Sequence, residues 1–196
     1  MPRQKVIKTP TYQSFPVNNN IRKTGGLNKA WLDSLIKVSA HSLSSFYQPQ
    51  GYMLRVALKP GVEIESFLHA LKYWFAEAVG FPTRHTPLYA CKYEVKTLTP
   101  SDEEWDHVGN PLLPFHHYHI AIILDGKCSR LSGLSNFLFM KQKDYLQSYY
   151  LSKDWSGKVV VHDLTNSFDS WIEHASYLCK VNTSAPVHKP FNTSRI

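Results

Sequence analysis

Residues 114–120 read PFHHYHI, which places three of the chain's ten histidines within four positions. His117 and His119 flank a single tyrosine. In an extended strand residues i and i+2 project to the same face, so the two imidazoles would stand side by side. Two imidazoles and one carboxylate can hold a divalent ion while leaving positions open for substrate oxygens. Glu94 is the carboxylate at hand: PLYACKYEVKTL, residues 87–98, reads as a strand, and alternation puts Lys92 and Lys96 on the face of Glu94. Glu94 reaches the histidines only if its strand pairs directly with theirs. The competing reading of His-x-His is a polar, solvent-facing stretch of strand.

A second chemical element lies near the other end, in SYLCK. Tyr177 and Lys180 are three apart in a predicted helix over roughly 168–180, which gives them one face. A phenol, with a pKa of about 10, is a poor nucleophile unless a metal or cationic neighbour assists. Against a phosphodiester, a divalent ion on the phosphoryl oxygens and a nearby lysine would lower the barrier to attack. The product would be a tyrosine joined to a 5′ phosphate beside a free 3′ hydroxyl. The alternative for Tyr177 is a core or rim aromatic. Tyr145 and Tyr149, four apart with Tyr150 adjacent, are rival nucleophiles, although the apolar Phe137, Leu138, Phe139 and Met140 in the same stretch favour packing roles for them.

The elements that must position these groups follow from periodicity. Leu27, Trp31, Leu35, Val38 and Leu43 space an amphipathic helix from Leu27 to about Phe46. GYMLRVALKPG alternates and ends in Pro-Gly, a strand and turn. VEIESFLHALKYWFAEAVG carries a helical stripe at Ile64, Phe67, Leu68, Leu71 and Phe75, closed by Gly80. The strands 87–98 and HHYHIAIILDG follow, separated by an acidic, turn-rich loop over 99–115. A helix over roughly 133–150, a strand at GKVVVHDL and the helix over 168–180 complete the order. A βαββαβ core predicts an α+β fold: a mainly antiparallel sheet of four to five strands in split βαβ, RRM-like order, with helices packed on one face. Residues 1–26 show no period and read as a flexible basic arm before a single domain over 27–196.

At 196 residues the chain can bury a real core. No signal peptide is evident at MPRQKVIKTP, and the longest apolar run, IAIIL, is far short of the roughly 20 residues a bilayer span requires. Three scattered cysteines, Cys91, Cys128 and Cys179, argue against a disulfide framework or a Cys-rich zinc site. A cytoplasmic protein with no membrane partner is the simplest expectation. The formal net charge of +7 is concentrated at the ends: +6 over residues 1–32 and +3 over 180–196, against −2 for the remainder. Such tails gather phosphates by counterion release, or simply aid solubility.

The combination of His117-Tyr118-His119 with Tyr177-Leu178-Cys179-Lys180 resembles the HUH endonuclease superfamily of rolling-circle replication initiators, relaxases and transposases. More narrowly, HHYHIAIIL, FDSWIEHASYLCKVNTS and FNTSRI look like the inovirus gene-2-product family, also described as the YagK/YfjJ C-terminal domain. The likeness covers most of residues 50–196 and departs from the family pattern at His116, Cys179 and about Ser184. It implies metal-dependent nicking and rejoining of single-stranded DNA at an origin hairpin or nick site in a bacterial host cell. His117, His119 and Glu94 would be ligands of Mg2+ or Mn2+, Tyr177 the nucleophile and Lys180 its electrostatic partner. Lys92, Lys96, Lys189 and Arg195 would meet the DNA. No Gly-rich GK[ST] loop is present, so unwinding would fall to a host helicase.

Overall fold

The computed structural model describes residues 5–19, 25–79, 86–97, 114–126, 131–181 and 190–196. Three short strands come first, β1 (Val6–Ile7), β2 (Thr11–Tyr12) and β3 (Phe15–Pro16), then β4 (Leu27–Asn28) leading into α1 (Lys29–Ser45). The central run is β5 (Pro49–Leu58), α2 (Ile64–Val79), β6 (Leu88–Thr97), β7 (Pro114–Asp125), α3 (Leu131–Tyr145) and β8 (Leu146–Leu151). The chain closes with β9 (His162–Asp163), α4 (Leu164–Ala175), a 3-10 turn at Ser176–Cys179 and β10 (Phe191–Thr193). The fold is mixed α+β, built on a six-stranded sheet in the order β10-β6-β7-β5-β8, with β9 beside β5. Every pairing in it is antiparallel.

Both faces of this sheet carry helices, rather than the one face expected. Tyr52, Leu54 and Val56 of β5 and Ile120, Ile122 and Leu124 of β7 pack against Phe67, Leu68 and Leu71 of α2 and Leu134, Phe137 and Leu138 of α3. The alternate residues Met53, Ala90, Ala121 and Ile123 pack against Leu32 and Leu35 of α1 and Trp171, Ile172 and Ala175 of α4. The expectation counted only the helices inside the βαββαβ run. The flanking helices have apolar stripes of their own, and those stripes require a second apolar surface.

Three further expectations are corrected. The helix of 133–150 stops at Tyr145, and Leu146–Leu151 pairs with the free edge of β5 (Leu54↔Leu151 to Leu58↔Leu146). Tertiary pairing overrides the i, i+4 spacing of Tyr145 and Tyr149 there. The strand GKVVVHDL is reduced to β9, because β8 already occupies that edge of β5 and leaves only Gln50 and Gly51 to pair with Asp163 and His162. The described part of the arm is docked: β1 pairs with β4, Val17 is buried in the α1/α4 core, and Phe15 lies edge-on to Phe168 at 5.4 Å. The loop expected over 99–115 lies outside the described residues up to Pro114, where β7 begins.

α4 is seated closely. A Cβ on Gly51 would meet the Trp171 ring at 2.5 Å, so a glycine is needed for this approach. Trp171 also donates its Nε1–H to Ser39 Oγ at 2.9 Å, tying α4 to α1. This seating fixes the turn that follows α4.

Candidate metal centre and its cleft

β6 and β7 pair as direct neighbours, with Glu94 opposite His117 and Lys92 opposite His119. The condition set by the sequence is therefore met. Glu94, His117 and His119 each point a ligand atom to one spot, all within 4.8 Å of one another. His117 Nε2 and His119 Nε2 are 3.2 Å apart, and Glu94 Oε2 lies 3.5 Å from His119 Nε2 and 3.9 Å from His117 Nε2. Two ligand atoms at about 2.1 Å from one ion, at angles between octahedral and tetrahedral, lie about 3.0–3.4 Å apart. The imidazole spacing falls in that range, and one carboxylate oxygen faces both, so the cluster is able to hold a metal ion.

Two lysines adjoin this cluster. Lys92 is completely buried, with Nζ 3.1 Å from Glu94 Oε1 and donating to the Lys180 carbonyl at 2.6 Å. It shares the face of Glu94, as alternation predicts, but its ammonium lies inside the protein and presents nothing to a DNA surface. Lys180 Nζ is 3.1 Å from Glu94 Oε2, the oxygen that faces His119. Burial works to raise the Glu94 carboxyl, yet a hydrogen bond to His119 and the charges around it hold it well below the ordinary carboxylate range. Burial pushes both His119 and Lys92 toward their neutral forms, while Glu94 pulls each back toward its charged form.

Tyr177 and Lys180 come to the same place by a different local structure from the one predicted. α4 ends at Ala175, and Tyr177 sits in the 3-10 turn, with Lys180 just beyond it bridged to Leu27. In a 3-10 turn residues i and i+3 eclipse, which sets Lys180 Nζ 3.5 Å from the centroid of the Tyr177 ring. The Tyr177 ring stands edge-on to His119, centroids 5.4 Å apart. The N-terminal segment holds this turn from outside: Asn18 N–H donates to Ser176 Oγ at 2.8 Å, and Val181 N–H to the Gly26 carbonyl at 3.1 Å. No period in residues 1–26 marks that role.

A cleft of about 260 Å3 opens beside the cluster. His119 and Tyr177 form part of its wall, and Arg55, Tyr150, Ser152, His174 and Asn18 are also among its lining residues. The Arg55 guanidinium carbon lies 5.2 Å from the Tyr150 ring centroid. Arg55, opposite His119 in the β5/β7 register, was not a sequence candidate. The period-2 alternation of β5, once paired with β7, would have found it.

His116 is exposed on the opposite sheet face, with Nδ1 against the Tyr93 hydroxyl, and takes no part in the cluster. Tyr118 packs beside Tyr93 on that face. Tyr145 packs edge-on against Phe67 at 6.4 Å, and Tyr149 joins the same α2/α3 core. Neither meets the cluster, whereas Tyr150 lines the cleft. Arg195 is exposed. Lys189 and the Lys96 side chain lie outside the described residues. Among the described residues no helix is long and apolar enough to cross a membrane.

No family model, curated protein or solved structure matches the chain. The chain is an α+β protein with a largely buried His-His-Glu cluster at the wall of an open cleft.

Proposed function

We propose that the protein is a metal-dependent, site-specific endonuclease and strand transferase of the HUH type, acting on single-stranded DNA as a rolling-circle replication initiator. The observation that carries this reading is the arrival of Tyr177 and Lys180, from the far end of the chain, at the one spot where Glu94, His117 and His119 converge. The strand order β6-β7-β5-β8, with α2 and α3 as connections, agrees with a split βαβ core.

His117, His119 and Glu94 would hold the ion, Mg2+ or Mn2+ being suited to phosphate oxygens. When bound, a divalent ion supplies Lewis-acid polarisation of the phosphoryl group. Tyr177 provides Oη, which bonds to phosphorus as the bond to the 3′ oxygen breaks. Oη loses its proton and the 3′ oxygen gains one, so a phosphodiester is exchanged rather than hydrolysed and rejoining is the reverse step. Lys180, lying over the Tyr177 ring, places positive charge beside the phenolate as it forms. Exposed Arg195 would meet the DNA backbone.

The Lys180–Glu94 contact favours a second reading: the lysine in place of an ion, in a non-catalytic DNA-binding regulator. Incubating the purified protein with labelled single-stranded DNA libraries and manganese separates the two on a denaturing gel. The catalytic reading expects a covalent adduct that disappears in Tyr177→Phe. An adduct that persists in that variant, or none with any fragment, overturns it.

A further inference from the structure

Trp155 is 99% exposed. Tryptophan is the largest apolar side chain and is well covered on average, so full exposure needs a cause in its surroundings, and those surroundings are ordered. Val160 N–H donates to the Ser152 carbonyl at 2.8 Å, Asp154 N–H to the Lys158 carbonyl at 2.8 Å, and Gly157 N–H to the Asp154 carbonyl at 3.0 Å. Asp154 Oδ1 accepts from Ser156 N–H, Ser156 Oγ–H and Lys158 N–H at 2.8, 2.7 and 3.0 Å. Gly157, at φ +80°, takes the left-handed conformation that closes this turn. The root is fixed as well, since Ser152 N–H donates to the Met53 carbonyl at 2.9 Å and Val159 packs on the α2/α3 core.

The turn thus holds an indole in solvent, with exposed Lys153 two residues before it, exposed Lys158 three after it, and the turn's single acid, Asp154, engaged within the turn. Ser152 lines the cleft, and three residues of chain reach at most about 11 Å, which keeps Trp155 close to the cleft rim. Aromatic surface between cations is the composition that binds unpaired nucleic acid: bases stack on the ring and phosphates meet the ammonium groups.

We infer that Trp155 is a stacking pin for single-stranded DNA outside the cleft, flanked by Lys153 and Lys158 as phosphate contacts. The inference rests on the single-stranded DNA reading proposed above and adds a binding subsite to it. A strand passing from the cleft would lay one base on the indole, which sets the path of the strand without touching the reacting phosphate.

The test is fluorescence anisotropy with a labelled oligothymidylate strand across a salt series, with circular dichroism melting of each variant alongside. Trp155→Ala is expected to weaken binding roughly 10-fold or more, and Trp155→Phe to retain most of it, with melting unchanged for both. Lys153→Ala and Lys158→Ala should each lower the salt slope by about 0.7, whereas Trp155→Ala leaves the slope unchanged. Unaltered affinity in Trp155→Ala overturns the pin, and so does a shift in sedimentation mass without a change in DNA binding, which would make Trp155 a self-association contact. The two proposals fail separately. Trp155-dependent binding by a protein that never forms an adduct retains the pin and removes the chemistry; adduct formation with affinity indifferent to Trp155 does the reverse.

Discussion

The same two strands, β6 and β7, present two different faces. Toward α2 and α3 they show Tyr89, Cys91, Ile120, Ile122 and Leu124, an apolar surface closed by apolar helices. Toward α1 and α4 they begin as Ala90, Ala121 and Ile123 and then change, over one or two residues of alternation, to Lys92, Glu94, His117 and His119. The first face is what a core needs. The second buries ionisable groups at the edge of a core, where ammonium and carboxylate must be paired to be tolerated, and apolar residues of similar volume would often be no less stable. Stability therefore does not account for the polar end of this face, whereas a cluster able to hold a metal ion would.

Charge removal should separate the two faces most strongly. Glu94→Gln strands two buried ammonium groups and should cost about 3–5 kcal/mol in denaturant unfolding, as much as the cavity left by Phe67→Ala on the other face. Only the first loss should be repaired by removing its partners: the triple variant Lys92→Met, Glu94→Leu, Lys180→Met is expected to return to wild-type stability or exceed it. A triple variant as unstable as Glu94→Gln would show that the charges hold the fold together.

A pH effect comes next in size. His162 Nε2 of β9 and His174 Nδ1 of α4 lie 2.9 Å apart. Burial, with the charge of His174 behind it, lowers His162 to about 4. The folded protein then binds that proton less readily than the unfolded chain, whose histidine titrates near 6.5. The contribution is full above about pH 6.5 and is lost as pH falls toward 4, up to about 3 kcal/mol. His162→Gln should reduce the slope of the stability profile in that window, leaving the part that His174, also lowered by burial, contributes, and an unchanged profile would contradict it.

The smallest effect is expected from the rival tyrosines. Tyr145→Phe and Tyr149→Phe keep their rings in the α2/α3 core and should alter adduct yield less than about 2-fold, because neither side chain shares a face with His117 and His119. A loss comparable to that of Tyr177→Phe would move the nucleophile to the other face of the sheet.

What could be read from the sequence was what short-range geometry dictates. The pairing of Glu94 with His117 and His119 follows from strand alternation once β6 and β7 are neighbours, and Tyr177 with Lys180 share a face at a spacing of three whether the turn is α or 3-10. What could not be read depended on the rest of the fold. The burial of Lys92 is decided by α1 and by the Lys180 carbonyl, far away in the chain. β8 exists because the edge of β5 is free to receive it, and β10 because the other edge, at β6, is free. The N-terminal segment has no period, yet it docks through isolated residues such as Val17 and Asn18.

Whether the polar end of the α1/α4 face is a metal centre can be decided by titrating the purified protein with Mn2+ while following the free-ion signal by electron paramagnetic resonance. One ion per chain should bind, and binding should be lost in the double variant His117→Ala, His119→Ala. Binding of equal strength in that variant, or a wild-type protein that takes up no ion, would contradict it.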